Sequence, residues 1–462
     1  MMKIQKILLY TAIITTPFFM SLNITFLGGL GSQASFYPLF LGVLIFFVRS
    51  FIYNGTIAIP QNKSFFMLLI FVFVAVLSGV FNIDTLMELH FQGTTGEKRF
   101  FIQLGALLFY VACAVYSYNI SCCTIKDPLY IIEKLLLCSF VLPALYSTLE
   151  LMSILGNDSA VSFLWDINSL FRSEDSLMYP RVRSVTAEAS YFGMYSAIIF
   201  PWLCGAFFKT SGWKKYLIGI TCIYFVILNI CTFSRTAYMV LGIETLIFIF
   251  FFHSLCLQYW KRMLMMGVIG GLLLWLVGES LNNTFEFDIT SIYLSLFSDD
   301  GVHDMSNLAR YGSGLAAFNL WQEFPILGCG FGGFGFYASE YYPNWAWLSP
   351  EISIWATNTP QGGAWPPVHN IYTRILSELG IIGFFTWVLI GVLLLREEKA
   401  LLSLNVDNMR VKQLVISTIG VLLCGFNVDM LHLLIYWIIL GFVWSYNRRE
   451  CLMGSKREEY HC

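Results

Sequence analysis

The sequence predicts an all-α polytopic integral membrane protein with about twelve transmembrane helices and a large outward-facing loop. Of its 462 residues, 57% are hydrophobic and only 12% charged, where a soluble domain carries about 25% charged residues. Apolar runs long enough to span a bilayer recur along the whole chain. The basic residues also divide unevenly between alternate connecting segments, as they do in membrane proteins. The net charge of −2, with no basic tract or base-stacking motif, gives no reason to expect nucleic acid as a partner.

Spans are expected near 5–23, 35–53, 64–82, 100–119, 129–155, 187–208, 215–233, 235–253, 262–279, 370–395, 411–428 and 431–447, all within one membrane domain, 1–462. Lys3 and Lys6 ahead of the first apolar run resemble a signal peptide, but no A-x-A-like cleavage site follows, so the run reads as a span. With the N-terminus inside, nineteen of the twenty-seven Lys and Arg residues fall on inner segments, and both termini are cytoplasmic. The other eight are Lys98, Arg99, Arg172, Arg181, Arg183, Arg235, Arg310 and Arg374, on the outside or at outer helix ends. Seven of these are Arg, the residue suited to planar, bidentate recognition of phosphate or carboxylate. Snorkelling at helix ends is the plainer alternative. The twelve cysteines lie mostly in apolar segments without a C-x-x-C or Cys/His pattern, so neither a disulfide framework nor a metal site is expected.

The first outer loop, 156–186, carries R-S-E-D-S-L-M-Y-P-R-V-R-S and leads into V-T-A-E-A-S-Y-F-G. Arg172 can pair locally with Glu174 or Asp175. Glu188 stands at or inside the start of an apolar span, where a carboxylate needs a partner or a function. Arg235, in C-T-F-S-R-T-A-Y, occupies a tight outward hairpin.

The second outer loop, 280–369, is too long for a mere connection. A short amphipathic helix is expected near 306–324, capped by Asp304 or Ser306. It carries Arg310 in its first turns, with Leu308, Leu315, Ala316, Phe318 and Trp321 as its apolar side. Next comes P-I-L-G-C-G-F-G-G-F-G-F, with five glycines between 328 and 335, which permits tight turns and close backbone approach. It lacks the G-K-[ST] of a phosphate-binding nucleotide loop. The Tyr-, Trp- and Pro-rich stretch to Trp365 suits a membrane interface and a sugar ring equally.

The loop ends in W-P-P-V-H-N-I-Y-T-R-I-L-S-E-L-G-I-I-G-F-F. Pro366 and Pro367 mark the approach to a helix, with His369 and Asn370 at its boundary and Arg374 in its first turns. Gly380 and Gly383 lie one turn apart, where a neighbouring helix can approach closely. A titratable His and an Arg at the mouth of a membrane helix are expensive to place there.

His369-Asn370, nine residues, Gly380, two residues, Gly383 resembles a signature of the bacterial O-antigen polymerase and O-antigen ligase superfamily. F-S-R-T-A looks like the family's Ser-Arg segment. P-R-V-R-S-V-T-A-E-A-S-Y-F-G looks like the polymerases' Arg…Glu-Pro-Ser…Gly segment, with Ala189 in place of the Pro. The run from Arg310 through P-I-L-G-C-G-F-G-G-F looks like the family's large periplasmic loop. The resemblance covers roughly residues 180–395; the first third of the chain has no such counterpart.

The resemblance implies a GT-C-like membrane glycosyltransferase fold in the bacterial inner membrane, with a periplasmic active face. It implies transfer of a glycan from undecaprenyl pyrophosphate without metal, nucleotide or other cofactor. Its partners would be a lipid-linked donor and acceptor, membrane lipids and a chain-length regulator protein. The Glu-Ala-Ser segment favours polymerase over ligase. Under either reading the leaving pyrophosphate needs fixed cations, and Arg235, Arg310, Arg181, Arg183 and Arg374 are the expected binding residues. The attacking sugar hydroxyl needs a base, for which His369 and Glu188 are the candidates, with Arg310 counted among the catalytic groups. A transporter is the reading from another class; it predicts ionisable residues at mid-membrane depth and interrupted paired helices, and Glu244 is the clearest such residue.

Overall fold

The computed structural model describes residues 2–19, 28–52, 57–171, 181–186, 188–285, 305–357, 364–403, 408–428, 431 and 433–459. It is all-helical apart from a two-stranded hairpin, β1 (His90–Phe91) with β2 (Thr94–Thr95). The principal helices are α1 (Met2–Ile14), α2 (Phe36–Ile52), α3 (Lys63–Phe81), α4 (Gly96–Thr124), α5 (Pro128–Ser139), α6 (Val141–Ile154), α7 (Asp158–Phe171), α8 (Ala189–Lys209), α9 (Trp213–Ile230), α10 (Arg235–Phe251), α11 (His253–Phe285), α12 (Met305–Glu323), α13 (Ile371–Ser403), α14 (Asn408–Cys424) and α15 (Leu434–Glu459).

A helix stands at every position where a span is expected. Among the described residues, six helical stretches are long and apolar enough to cross a membrane, or up to seven if α10 and the start of α11, bent by 98°, form one span. The chain is thus a multi-pass membrane protein. Its first helix is shorter than expected, because Thr15, Thr16 and Pro17 turn the chain after Ile14; Pro17 has no N–H with which to continue the ladder. Thirteen residues rise about 20 Å. The expected span 129–155 is two helices, α5 and α6, meeting at Phe140.

α8 is the most enclosed of the spanning helices, with 83% of its window buried. Its partner α14 comes close enough for Ser417 Oγ to donate to the Ile198 carbonyl at 2.9 Å. α15 lies on α4 at Gly441, where a Cβ would stand 2.4 Å from the Ala114 carbonyl oxygen. The Tyr110 and Trp437 rings stack across that contact with their centroids 5.4 Å apart.

Charged residues collect at the two ends of this bundle. At one end Glu133 holds Lys209 at 3.0 Å and Arg410 at 2.6 Å, and Arg410 also reaches Asp127. Arg448 donates to Tyr118 near the far end of α4 at 3.1 Å. Arg99, in the first turn of α4, belongs to the opposite end, together with Glu188, Arg310, His369 and Arg374. Lys209, Arg410 and Arg448 of the inner set thus lie apart from Arg99, Arg310 and Arg374 of the outer set.

The segments expected to form outer loops contain more structure than their sequences suggest. Within 156–186 lies α7, started by Asn157 Oδ1 accepting from the Ala160 amide at 2.9 Å. It packs Leu164 against Tyr146 and Val185. Arg172, Glu174 and Asp175, expected to pair, lie outside the described residues, as does Asp304. α12 forms as expected and buries Leu308 and Ala316 of its expected apolar side, but other residues make up the rest of its buried face. Ala309, Ala316, Ala317 and Leu320 pack into a second core with Cys329, Phe334, Ala338 and Val368, while Leu315 and Phe318 stay exposed. The small residues win because they allow close approach; a Cβ on Gly312 would meet that of Ala346 at 2.5 Å.

Candidate active site

The site is assembled around a break in α13. Gly380 has φ +65° and ψ −167°, so the helix stops there and restarts. The glycine-rich segment 325–330 fills the break. Cys329 and Gly330 amides donate to the Ser377 and Glu378 carbonyls at 3.0 and 3.2 Å, and the Ile381 amide donates to the Pro325 carbonyl at 2.9 Å. Backbone groups released by the break are thus satisfied by loop backbone, as burial requires. The element that approaches Gly380 is therefore a loop and not the expected neighbouring helix. A Cβ at Gly380 would lie 2.2 Å from the Ile326 carbonyl oxygen, and one at Gly328 2.2 Å from the Glu378 carbonyl carbon.

Above the break lies a cavity of about 370 Å³. His369, Glu188 and Arg374 all line it, with Arg99, Gln103, Tyr191, Trp365 and Glu378. Asn370 starts α13 by accepting the Tyr372 and Thr373 amides at 2.9 and 3.2 Å. That leaves His369 just outside the helix, in left-handed backbone at φ +58°, a conformation uncommon for a side-chain-bearing residue and concentrated at functional sites. The His369 ring lies 5.4 Å from that of Trp355. Its Nε2 is shielded from solvent and has no hydrogen-bond partner among the described residues. Burial, and then the charge of Arg310, lower its pKa from 6.5 to about 4. The imidazole is neutral near pH 7, with a lone pair available.

Glu188 is the residue before α8, and its carboxylate does not cap that helix. It accepts from Ser190 Oγ at 3.0 Å and faces Arg310 of α12 at 3.8 Å. Its side chain is 61% exposed, so it stands at the cavity mouth rather than inside an apolar span. Arg310 is thereby brought to the same site. Arg374 is deeper. Its Nε donates to Glu378 Oε2 at 3.2 Å and its Nη2 to Gln103 Oε1 at 3.0 Å, and both charged residues are buried. This engagement gives Arg374 a structural role that its sequence position did not reveal.

Arg181, Arg183 and Arg235 do not line the cavity. Their two segments are tied to each other by the Val182 amide donating to the Cys231 carbonyl at 2.9 Å. Glu150 Oε2 accepts the Arg183 and Ser184 amides at 3.1 and 2.7 Å. Ser184 and Phe233 there also have positive φ. Arg235 begins α10, where the helix dipole disfavours a cation.

Residues 220–388 match the family model of the O-antigen ligases. The matched segment is well under half of the chain and includes Arg235, Arg310, His369, Arg374 and the break at Gly380. It connects this part of the protein with O-antigen polysaccharide assembly and with glycosyltransferase-like chemistry, and does not separate ligase from polymerase. Glu188, Arg181 and Arg183 precede it. No curated protein matches the chain. Among the described residues no three His, Cys, Asp or Glu side chains cluster as a metal-binding group.

Arg99, Gln103 and Trp365 were not among the expected site residues. Arg99 was visible only as one of eight outer cations. Gln103 had no signal at all, since one amide within an apolar span is unremarkable.

Proposed function

We propose that the protein is an O-antigen polymerase of the bacterial inner membrane, acting at its periplasmic face with both termini in the cytoplasm. The observation that carries this reading is the convergence of His369, Glu188 and Arg310 at one cavity, within or beside a segment that matches the O-antigen ligases. The donor is a glycan on undecaprenyl pyrophosphate and the acceptor is the terminal sugar of another carrier-linked repeat unit. An acceptor hydroxyl attacks the anomeric carbon of the donor. The bond from that carbon to the pyrophosphate oxygen breaks, and its electron pair leaves with the undecaprenyl pyrophosphate. The hydroxyl proton passes to His369 Nε2, or to Glu188 in the rival assignment. Arg310 exchanges its contact with Glu188 for the pyrophosphate, and Arg235, Arg181 and Arg183 give further positive charge nearby. The chain-length regulator belongs to the same proposal as a protein partner.

The ligase reading, with lipid A-core as acceptor, is favoured by the name of the matching family. A transporter draws support from Glu244, fully buried in α10 with neither carboxylate oxygen hydrogen-bonded among the described residues. The interruption of α13 fits it too, although loop backbone fills that break.

Deleting the gene in its host and displaying lipopolysaccharide on a gel separates the three. Loss of a polymerase leaves core carrying one repeat. Loss of a ligase leaves core without glycan, and loss of a transporter accumulates inward-facing carrier.

A further inference from the structure

We infer that Arg99 is an anion-binding residue in the cavity wall, its guanidinium taking a phosphoryl oxygen of the pyrophosphate-linked substrate. This rests on the function proposed above and adds to it a residue outside the matched segment.

Arg99 is held in place without an ion pair of its own among the described residues: the charge of Glu378 acts on it, opposed by that of Arg374. Its stem runs beside the glycine loop, where Gly332 has φ +84° and a Cβ would lie 2.7 Å from Gln103 Cγ and 3.5 Å from Arg99 Cγ. Its guanidinium carbon lies 4.1 Å from the Trp365 ring centre. Trp365 is itself fixed edge-on between Phe91 and Phe336. A guanidinium stacked by its face keeps its N–H edge free for a planar, forked contact. The Nε of Arg99 is shielded from solvent and has no hydrogen-bond partner among the described residues.

The charges around the cavity single out the same residue. Arg374 is paired with Glu378, and Arg310 faces Glu188. His369 is neutral. Arg99 therefore leaves the cavity with one positive charge beyond its carboxylates. A cation in that position is costly for an empty protein and favourable once an anion enters. A neutral sugar would not call for it. Phosphate or pyrophosphate is the ligand class that matches a rigid, forked donor. Two sources carry it, the donor's leaving group and the carrier of the acceptor.

The test uses the full chain in nanodiscs, wild type against Arg99→Gln and Arg99→Lys, with inorganic pyrophosphate and undecaprenyl pyrophosphate as probes. The expected result is binding of both probes by the wild type, weakened about 10- to 100-fold in Arg99→Gln and less in Arg99→Lys. The thermal midpoint of ligand-free Arg99→Gln should equal or exceed that of the wild type, because a charge lacking its own carboxylate has gone. A merely structural Arg99 gives the reverse pattern, a lowered midpoint with unchanged binding, and overturns the inference. In a transfer assay, a raised KM for donor alone or for acceptor alone assigns the phosphate to that substrate. Pyrophosphate binding that depends on Arg99 in a protein that transfers no glycan would retain this inference and refute the proposed function. Glycan transfer and pyrophosphate binding that both ignore Arg99→Gln would do the opposite.

Discussion

Arg310 on α12 and Glu188 ahead of α8 meet at the mouth of the cavity, Nη2 to Oε2 at 3.8 Å. One comes from the segment between α11 and α13 and the other from the entrance of the most enclosed span. Their contact is loose, and the carboxylate is more than half exposed. Solvated pairs of this kind contribute roughly 0–1 kcal/mol. Glu188→Gln should therefore leave the unfolding midpoint nearly unchanged. It should still slow chain elongation if Glu188 holds Arg310 ready or takes the proton. A thermal melt beside an elongation assay checks both; a large fall in the midpoint with normal elongation would assign Glu188 to the fold instead.

Arg374 should behave differently. Removing it leaves Glu378 buried without its cation, a change that costs about 3–5 kcal/mol in comparable buried pairs. Arg374→Ala is expected to reduce folded protein in the membrane, measured by detergent-extracted yield and melting. The double variant Arg374→Met with Glu378→Leu should recover much of that yield. If Arg374→Ala melts normally and fails only in substrate binding, Arg374 acts on substrate directly as its sequence position suggests.

Gly380 tests the break in α13. An alanine there must adopt a φ of +65° and place its Cβ against the Ile326 carbonyl. The expected cost is at least on the order of 1–3 kcal/mol, with loss of the loop pairing at Cys329 and Gly330. Protease sensitivity of the 325–333 segment should rise in Gly380→Ala, whereas Gly314→Ala, at a position open to space, should not change it.

The grouping of His369, Arg310 and Glu188 was legible because ionisable residues are rare in such a chain and stood at outer helix ends. Arg99 was harder to see. It enters α4 beside Lys98, and nothing in sequence says which of two adjacent cations points inward. The helix break was hidden because Gly380 and Gly383 sit at helical spacing, and a positive φ leaves no mark on an apolar pattern. α7 was missed because Asp158 and Asp166 interrupt its hydrophobic run, and its buried side becomes apparent only against Tyr146 and Val185. Arg181, Arg183 and Arg235 formed one set by composition, yet none of them is among the residues that line the cavity.

The pH dependence of His369 has a definite sign. Its folded pKa is about 4 against an ordinary 6.5, so between those values the unfolded chain binds more protons than the folded one. The resulting contribution to stability is present above pH 6.5 and is lost as pH falls towards 4. For catalysis the neutral base persists over the same window. The acid limb of kcat/KM, which reports the free enzyme, should lie well below pH 6.5. Arg310→Gln should shift that limb upward, because the second cause of the depression has gone. An acid limb at pH 6.5 in both proteins would mean that the catalytic group is not this imidazole.

The central claim is that His369 takes the proton of the attacking sugar hydroxyl. The most direct measurement compares purified wild type, His369→Ala and His369→Gln in nanodiscs, supplied with undecaprenyl-pyrophosphate-linked repeat units, with product lengths resolved on a gel. The account predicts a ladder from the wild type and single repeats from both variants, each still binding the carrier. A full ladder from His369→Ala would contradict it and pass the role of base to Glu188.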